Sequence, residues 1–173
     1  MNQTISPPAT TPQKKPSFKE QQLRFREAAI LDAVNHLLSQ KGFDLMTMDE
    51  VAAHVGIAKA SLYKHFSSKE ELAAASMTRL LQHALDIIAS LPISMPPVSK
   101  LKAVVQWAVS MHLRGAMPLL PSTRSTIQSA LQHHAPYMDC LGRLIEQLGS
   151  WIAAAQSNGD LSTELPGEVM LYT

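Results

Sequence analysis

The stretch GIAKASLYKHFSSKEEL, residues 56–72, opens on a glycine and crowds Lys59, Tyr63, Lys64 and His65 into two helical turns. It then restarts on Ser68, with Glu71 three residues later, the pattern of a helix that caps its own first turn. Leu62 and Phe66 lie four residues apart and so share one face, which leaves Lys59, Ala60, Tyr63 and Lys64 on other parts of the surface. Immediately upstream, Thr47-Met-Asp-Glu50 forms another capping box, Val51, Ala52 and Val55 make an apolar face, and Gly56 supplies a stop. Ser17-Phe-Lys-Glu20 opens a longer helix over about 18–41, with Leu23, Ile30, Leu31, Val34, Leu37 and Leu38 at helical spacing. Two short helices, about 48–55 and 58–65, joined by a glycine turn and braced by a longer helix, make a helix-turn-helix. In such a motif the second helix enters the major groove of DNA.

The side chains suit that task. Lysines neutralise phosphates or donate to guanine O6 and N7, and small Ala60 and Ser61 let the helix axis approach the bases. Ala60 can also meet a thymine methyl, while the Tyr63 hydroxyl and a His65 ring nitrogen can donate to phosphate oxygens. Lys69 falls in the first turn of the next helix, where the helix dipole disfavours a cation. A phosphate held jointly by Lys69 and the free amides of that turn would reverse the penalty. Thr47 plays the matching part at the preceding helix. The bland reading is a solvated helix face, but the capping boxes and glycine turn around it favour the sharper one.

The segments AAILDAVNHLLSQKGF, MTMDEVAAHVGI and AKASLYKHFSSKEEL resemble the DNA-binding domain of the TetR family of bacterial transcriptional repressors. The resemblance runs from about Phe25 to Leu72. It implies phosphate contacts at Thr47, Tyr63 and Lys69, groove-facing positions at Lys59, Ala60, Ser61 and Lys64, and His65 at the groove's edge. Met46, Ala58 and Ala60 depart mildly from the family pattern. The resemblance also implies binding to double-stranded operator DNA as a homodimer, and a larger all-α domain with a small-molecule inducer pocket.

Composition agrees with an all-α fold. Hydrophobic residues make up 46% and aromatics 5%, and Ala, Leu and Met fill most apolar positions. Net charge is only +1, yet Lys14 to Lys69 holds nine Lys/Arg against six Asp/Glu. Residues 1–16 carry four prolines and few apolar side chains and are expected to be a disordered basic arm; the helix-turn-helix domain follows over 17–70. The basic residues Lys14, Lys15, Lys19, Arg24 and Arg26 could track nearby DNA or merely solubilise the chain.

Residues 71–173 are read as a helical regulatory domain for ligand binding and dimerisation. Its helices are expected from Ser68 to Pro92 and near 99–114, 119–132 and 136–157. Trp107, Met111, His112, Met117, His134, Tyr137 and Met138 are candidate inducer-pocket residues, though Met and aromatic residues at this spacing also serve as plain core. The sequence stops inside the helical pattern PGEVMLYT, and the expectation is a shortened product that is a weak dimer or a monomer. Leu161, Leu165, Val169, Met170 and Leu171 would begin the absent packing.

No cofactor or metal site is expected. The one cysteine, Cys140, excludes an intramolecular disulfide, and adjacent His133 and His134 point to different helix faces. No nucleophile elbow, zinc-protease motif or phosphate loop is present, so an enzyme is not expected. No apolar run reaches membrane-spanning length and no secretory leader is visible; the expectation is a cytoplasmic, nucleoid-associated repressor. The alternatives are a helical protein-interaction module or a non-specific DNA binder.

Overall fold

The computed structural model describes residues 17–118, 125–167 and 169. The arm over 1–16, with Lys14 and Lys15, lies outside them, as do the start of the helix expected at 119–132 and residues Met170 and Leu171. Among the described residues seven helices follow one another: α1 Phe18–Leu45, α2 Met48–Val55, α3 Lys59–Leu62, α4 Lys69–Ser90, α5 Pro97–Leu113, α6 Ile127–His133 and α7 Ala135–Ser157. The architecture is all-α.

Capping chemistry sets the boundaries. Ser17 and Thr47 each accept the amide of a glutamate three residues on, and Glu20 and Glu50 reach back to the capping residue's own amide. The third box differs from its sequence pattern. Ser68 Oγ accepts the Glu71 amide at 3.0 Å, but the Glu71 carboxylate bonds the amide and hydroxyl of Ser67, one residue upstream of the cap. Glu71 therefore ties α4 to the end of the recognition segment.

The long first helix carries past its expected end. Gly42 breaks the helical backbone at φ 73°, as a stop should, but a further short turn follows before Met46. The recognition helix is shorter than expected. Only Lys59–Leu62 is α-helical, and the amides of Lys64 and His65 reach back three residues, to Ser61 O and Leu62 O. This tightening has a cause: Phe66 must enter the core beside Leu62, and the chain must then turn into the cap of α4. Nothing caps α3 at Ala58, which lacks a hydroxyl. At the sixth helix Ser125 and Thr126 precede the helical run, which begins at Ile127.

One apolar cluster joins all these pieces. Ile30, Val34 and Leu38 from α1 meet Met46, Val51, Leu62, Phe66 and Leu72, all buried. Ala73 and Ala74 carry no bulk beyond Cβ, which lets α4 approach α1 closely. Ile127 and Leu131 of α6 belong to the same cluster, so a helix far along the chain helps close the helix-turn-helix core. Beyond it, α4 packs on α7 and α5 on α7.

Polar ties reinforce the joint between α1 and the later helices. Arg79 of α4 donates to Ala28 O at 2.8 Å and to Asp32 Oδ1 at 2.6 Å. Asn35 Nδ2 donates to Ala116 O at 2.7 Å, and the Ser39 hydroxyl donates to Gly115 O. Ser125 Oγ donates to Asp44 Oδ1 at 2.8 Å. Gly115 takes φ 64°, the left-handed turn that lets α5 end against α1.

Candidate nucleic-acid interface

The helix-turn-helix presents one continuous polar surface. Gly56, at φ 74°, closes α2 with its amide bonded to Ala52 O and Ala53 O, and sends the chain into α3. Leu62 and Phe66 then anchor the recognition segment from below. Lys59, Ala60, Tyr63 and Lys64 are exposed, whereas Ser61 and His65 are half-buried. The structure therefore brings these six candidates onto a single short segment.

Their electrostatics are less uniform than their sequence. Lys59 Nζ stands 2.7 Å from Asp49 Oδ2 of α2, and that hydrogen bond raises its pKa above the usual lysine value. Both partners are largely solvated, so the pair is weak and easily exchanged. Lys64 makes no ion pair with any described residue and remains a free cation at the tip. Thr47 is exposed beside the first amides of α2, with its hydroxyl engaged to Glu50 at 2.8 Å.

Lys69 answers the puzzle of a cation at a helix start. Its ammonium donates to Phe43 O at 3.2 Å and lies 4.2 Å from the centre of the Phe43 ring. A carbonyl at the end of α1 and an aromatic face thus offset the dipole of α4 without any ligand. One of three ammonium protons is used, so two stay available.

Glu50 is the anchor below α2. Hydrogen bonds from Lys41 and then Thr47 bring its pKa from 4.5 down to about 2. A lowered carboxyl pKa gives stability that is present above 4.5 and lost as pH falls toward 2. We expect the urea midpoint of the wild type to exceed that of Glu50→Gln at neutral pH, and the gap to close across that acid window. A gap independent of pH would mean that Glu50 acts through shape alone.

The seven candidate pocket residues are not gathered together. Met111 lines a cavity of about 500 Å³ between α1, α4 and α5. Trp107 lies behind it, edge-on to His83 with centroids 5.5 Å apart, and its Nε1 is buried without a partner. His134 instead caps α7, accepting the Tyr137 amide at 3.3 Å, with Thr78 beside the same nitrogen. Tyr137 packs against the helix-turn-helix core, where burial raises its phenol pKa. His112 and Met138 are exposed, and Met117 is half-buried in the turn after α5. The polar wall of the cavity was missed in the sequence. Its signal is the spacing of Ser76, Arg79, His83 and Asp86 along one side of α4.

Comparison with known proteins agrees with this geometry. Residues 30–76 match the tetR family of bacterial regulatory proteins. A 59-residue segment is 37% identical to the negative transcriptional regulator IcaR of the biofilm operon icaADBC from Staphylococcus epidermidis. The corresponding regulator of Staphylococcus aureus strain Newman is 41% identical over 59 residues. Each match covers 34% of this chain and spans about a third of the relative, 32% of its length.

Solved structures extend the likeness of fold. A TetR-family regulator from Agrobacterium tumefaciens superposes with TM-score 0.65 at 20% identity, over 79% of this chain and 74% of that one. A TetR-family regulator from Shewanella sp. PV-4 gives TM-score 0.59 at 28% identity, over 84% and 77%. None of the helices among the described residues is long and apolar enough to cross a membrane.

Proposed function

We propose that this protein is a sequence-specific DNA-binding transcriptional regulator that represses by occupying operator DNA. The observation that carries the reading is the exposed set Lys59, Ala60, Tyr63 and Lys64, anchored by buried Leu62 and Phe66 at the turn of a helix-turn-helix. In this reading Lys59, Ala60, Ser61 and Lys64 face the major groove, and His65 lies at its edge. Tyr63, Thr47 and Lys69 hold phosphates. Thr47 and Lys69 sit at the starts of α2 and α4, whose free amides can share the anion. The regulator works as a homodimer in the cytoplasm, and a small-molecule inducer shifts the spacing of the two recognition segments.

Selection of bound sites from random double-stranded DNA, followed by gel shifts across a salt series, tests this. A defined, palindromic site bound far more tightly than bulk DNA is the expected result. Binding of all sequences alike would leave only a non-specific DNA binder, and no shift at any salt would favour an interaction module.

Lys59 separates base readout from backbone contact. It must leave Asp49 to reach a guanine, and the exchange is cheap because both groups are solvated. Lys59→Ala is expected to lower affinity about tenfold or more and to relax preference at one base position. An unchanged sequence preference with lower affinity would assign Lys59 to a phosphate.

A further inference from the structure

The cavity between α1, α4 and α5 is bounded on three sides by the ties that join α1 to the rest of the fold. Leu31, Asp32 and Asn35 of α1 face Arg79, Gln82, His83 and Asp86 of α4, and Met111 and Ala116 close the third side. Whatever fills it touches the first helix of the DNA-binding unit directly.

The wall has a clear hydrogen-bonding bias. Each of its donor side chains already has a partner: Arg79 with Ala28 O and Asp32, Ser76 with Leu31 O at 3.3 Å, and Gln82 with Asp86 at 2.8 Å. The His83 ring rests against Trp107. Acceptors remain. Asn35 turns its amide nitrogen to Ala116 O, which fixes the side chain, and its Oδ1 is buried with no partner. Asp32 and Asp86 each have one carboxylate oxygen for which no hydrogen bond is seen. Two carboxylates stand against the single guanidinium of Arg79, and Leu31, Leu80 and Met111 supply the apolar part of the wall.

We propose that this cavity is an effector site for an organic ammonium ion with an apolar body, and that its occupancy alters DNA affinity. The ammonium group donates to the open acceptors Asp86, Asp32 and Asn35, and the body packs on Leu80 and Met111. A ligand seated there competes with or reinforces the ties from Arg79 and Asn35 to α1, and so changes how firmly the recognition segment is held to the later helices. The regulatory half of the proposal rests on the DNA-binding reading above; the binding half does not.

Isothermal titration calorimetry of the 173-residue chain with phenethylammonium, and with phenethyl alcohol as its neutral counterpart, tests the site. The expected result is saturable one-to-one binding of the ammonium, with the alcohol at least tenfold weaker. Asp86→Asn, a change at an exposed α4 position, should weaken the ammonium about tenfold while circular dichroism stays unchanged. Met111→Trp, which fills the cavity, should abolish binding. Absence of saturable heat with the ammonium, equal binding of the alcohol, or wild-type affinity in folded Met111→Trp would each overturn the site. Gel shifts on the selected DNA with and without saturating phenethylammonium should differ at least fivefold. Equal affinities would overturn the regulatory half. Failure to bind DNA at all would sink the DNA-binding reading, while the calorimetry still decides the site.

Discussion

Leu62→Ala is expected to lower the folding free energy by about 3 kcal/mol, within the usual span for truncating a buried leucine. Leu62 is fully enclosed, with 0% of its surface exposed, and lies in the cluster that holds Ile30, Val34, Val51, Phe66 and Leu72. It is also the last α-helical residue of α3, so the side chain that fills the core is the one that anchors the surface proposed to meet DNA. Collapse around the cavity is restricted, because Phe66 and Leu72 are themselves positioned by the turn and by the cap at Ser68. Urea unfolding followed by circular dichroism measures the loss. Leu62→Met should cost less than about 1.5 kcal/mol, since volume is nearly kept. Leu45→Ala, at a leucine that is 69% exposed, is the control and should change little. A Leu62→Ala loss no greater than that control would contradict the core as described.

How much of this was legible in the sequence follows from the range of the forces involved. Capping boxes and glycine stops act within four residues, so α2, α4 and α7 start and end close to where Thr47, Gly56, Ser68, Pro136 and Gly159 put them. The early end of α3 is not local in that sense, because the chain tightens at Lys64 and His65 where Phe66 is held in a core built by α1 and α4. The partner of Lys69 was hidden too: Phe43 lies 26 residues upstream, and only the fold brings its carbonyl beneath the ammonium. The cavity wall combines α1 and α4 residues such as Asp32 and Arg79, which stand 47 residues apart. Met111 lines that cavity and Trp107 packs edge-on against His83 of its wall, while His134 caps α7 and Tyr137 packs on the helix-turn-helix core.

The joint between the two halves also has a consistent logic. Ile127 and Leu131 insert into the helix-turn-helix core, while Asn35 and Ser39 of α1 bond backbone carbonyls of the turn after α5, and Asp44 accepts from the Ser125 hydroxyl just before α6. Apolar contact gives the joint its strength and is tolerant of small rotations. The hydrogen bonds are directional and favour one orientation. A ligand that competes for Asn35 or Arg79 thus acts on orientation more than on stability, which is the property a switch requires.

The triple variant Lys59→Ala, Lys64→Ala and Lys69→Ala is expected to lose operator affinity on the order of a thousandfold, at about tenfold per contact. Its salt dependence should flatten by about one unit for the phosphate contact of Lys69, and by up to about three where Lys59 and Lys64 reach phosphates instead of bases. The single variants then apportion the effect. Lys64, without an ion pair among the described residues, should lose about one unit of slope with unchanged stability where it meets a phosphate, and none where it reads a base. Lys69 should show two effects, since its ammonium is already bonded to Phe43 O and stacked on the Phe43 ring. Lys69→Ala removes that grip and so lowers stability modestly, and it also removes the phosphate contact proposed for the remaining two protons. Fluorescence anisotropy with labelled operator DNA between about 50 and 200 mM salt separates them, provided each variant is first shown to be folded at the assay temperature. A Lys69→Ala protein with reduced stability and an unaltered slope would assign the residue wholly to bracing α4 against α1. A triple variant with wild-type slope would mean that the phosphates are held elsewhere on the chain, and the proposed interface would fail.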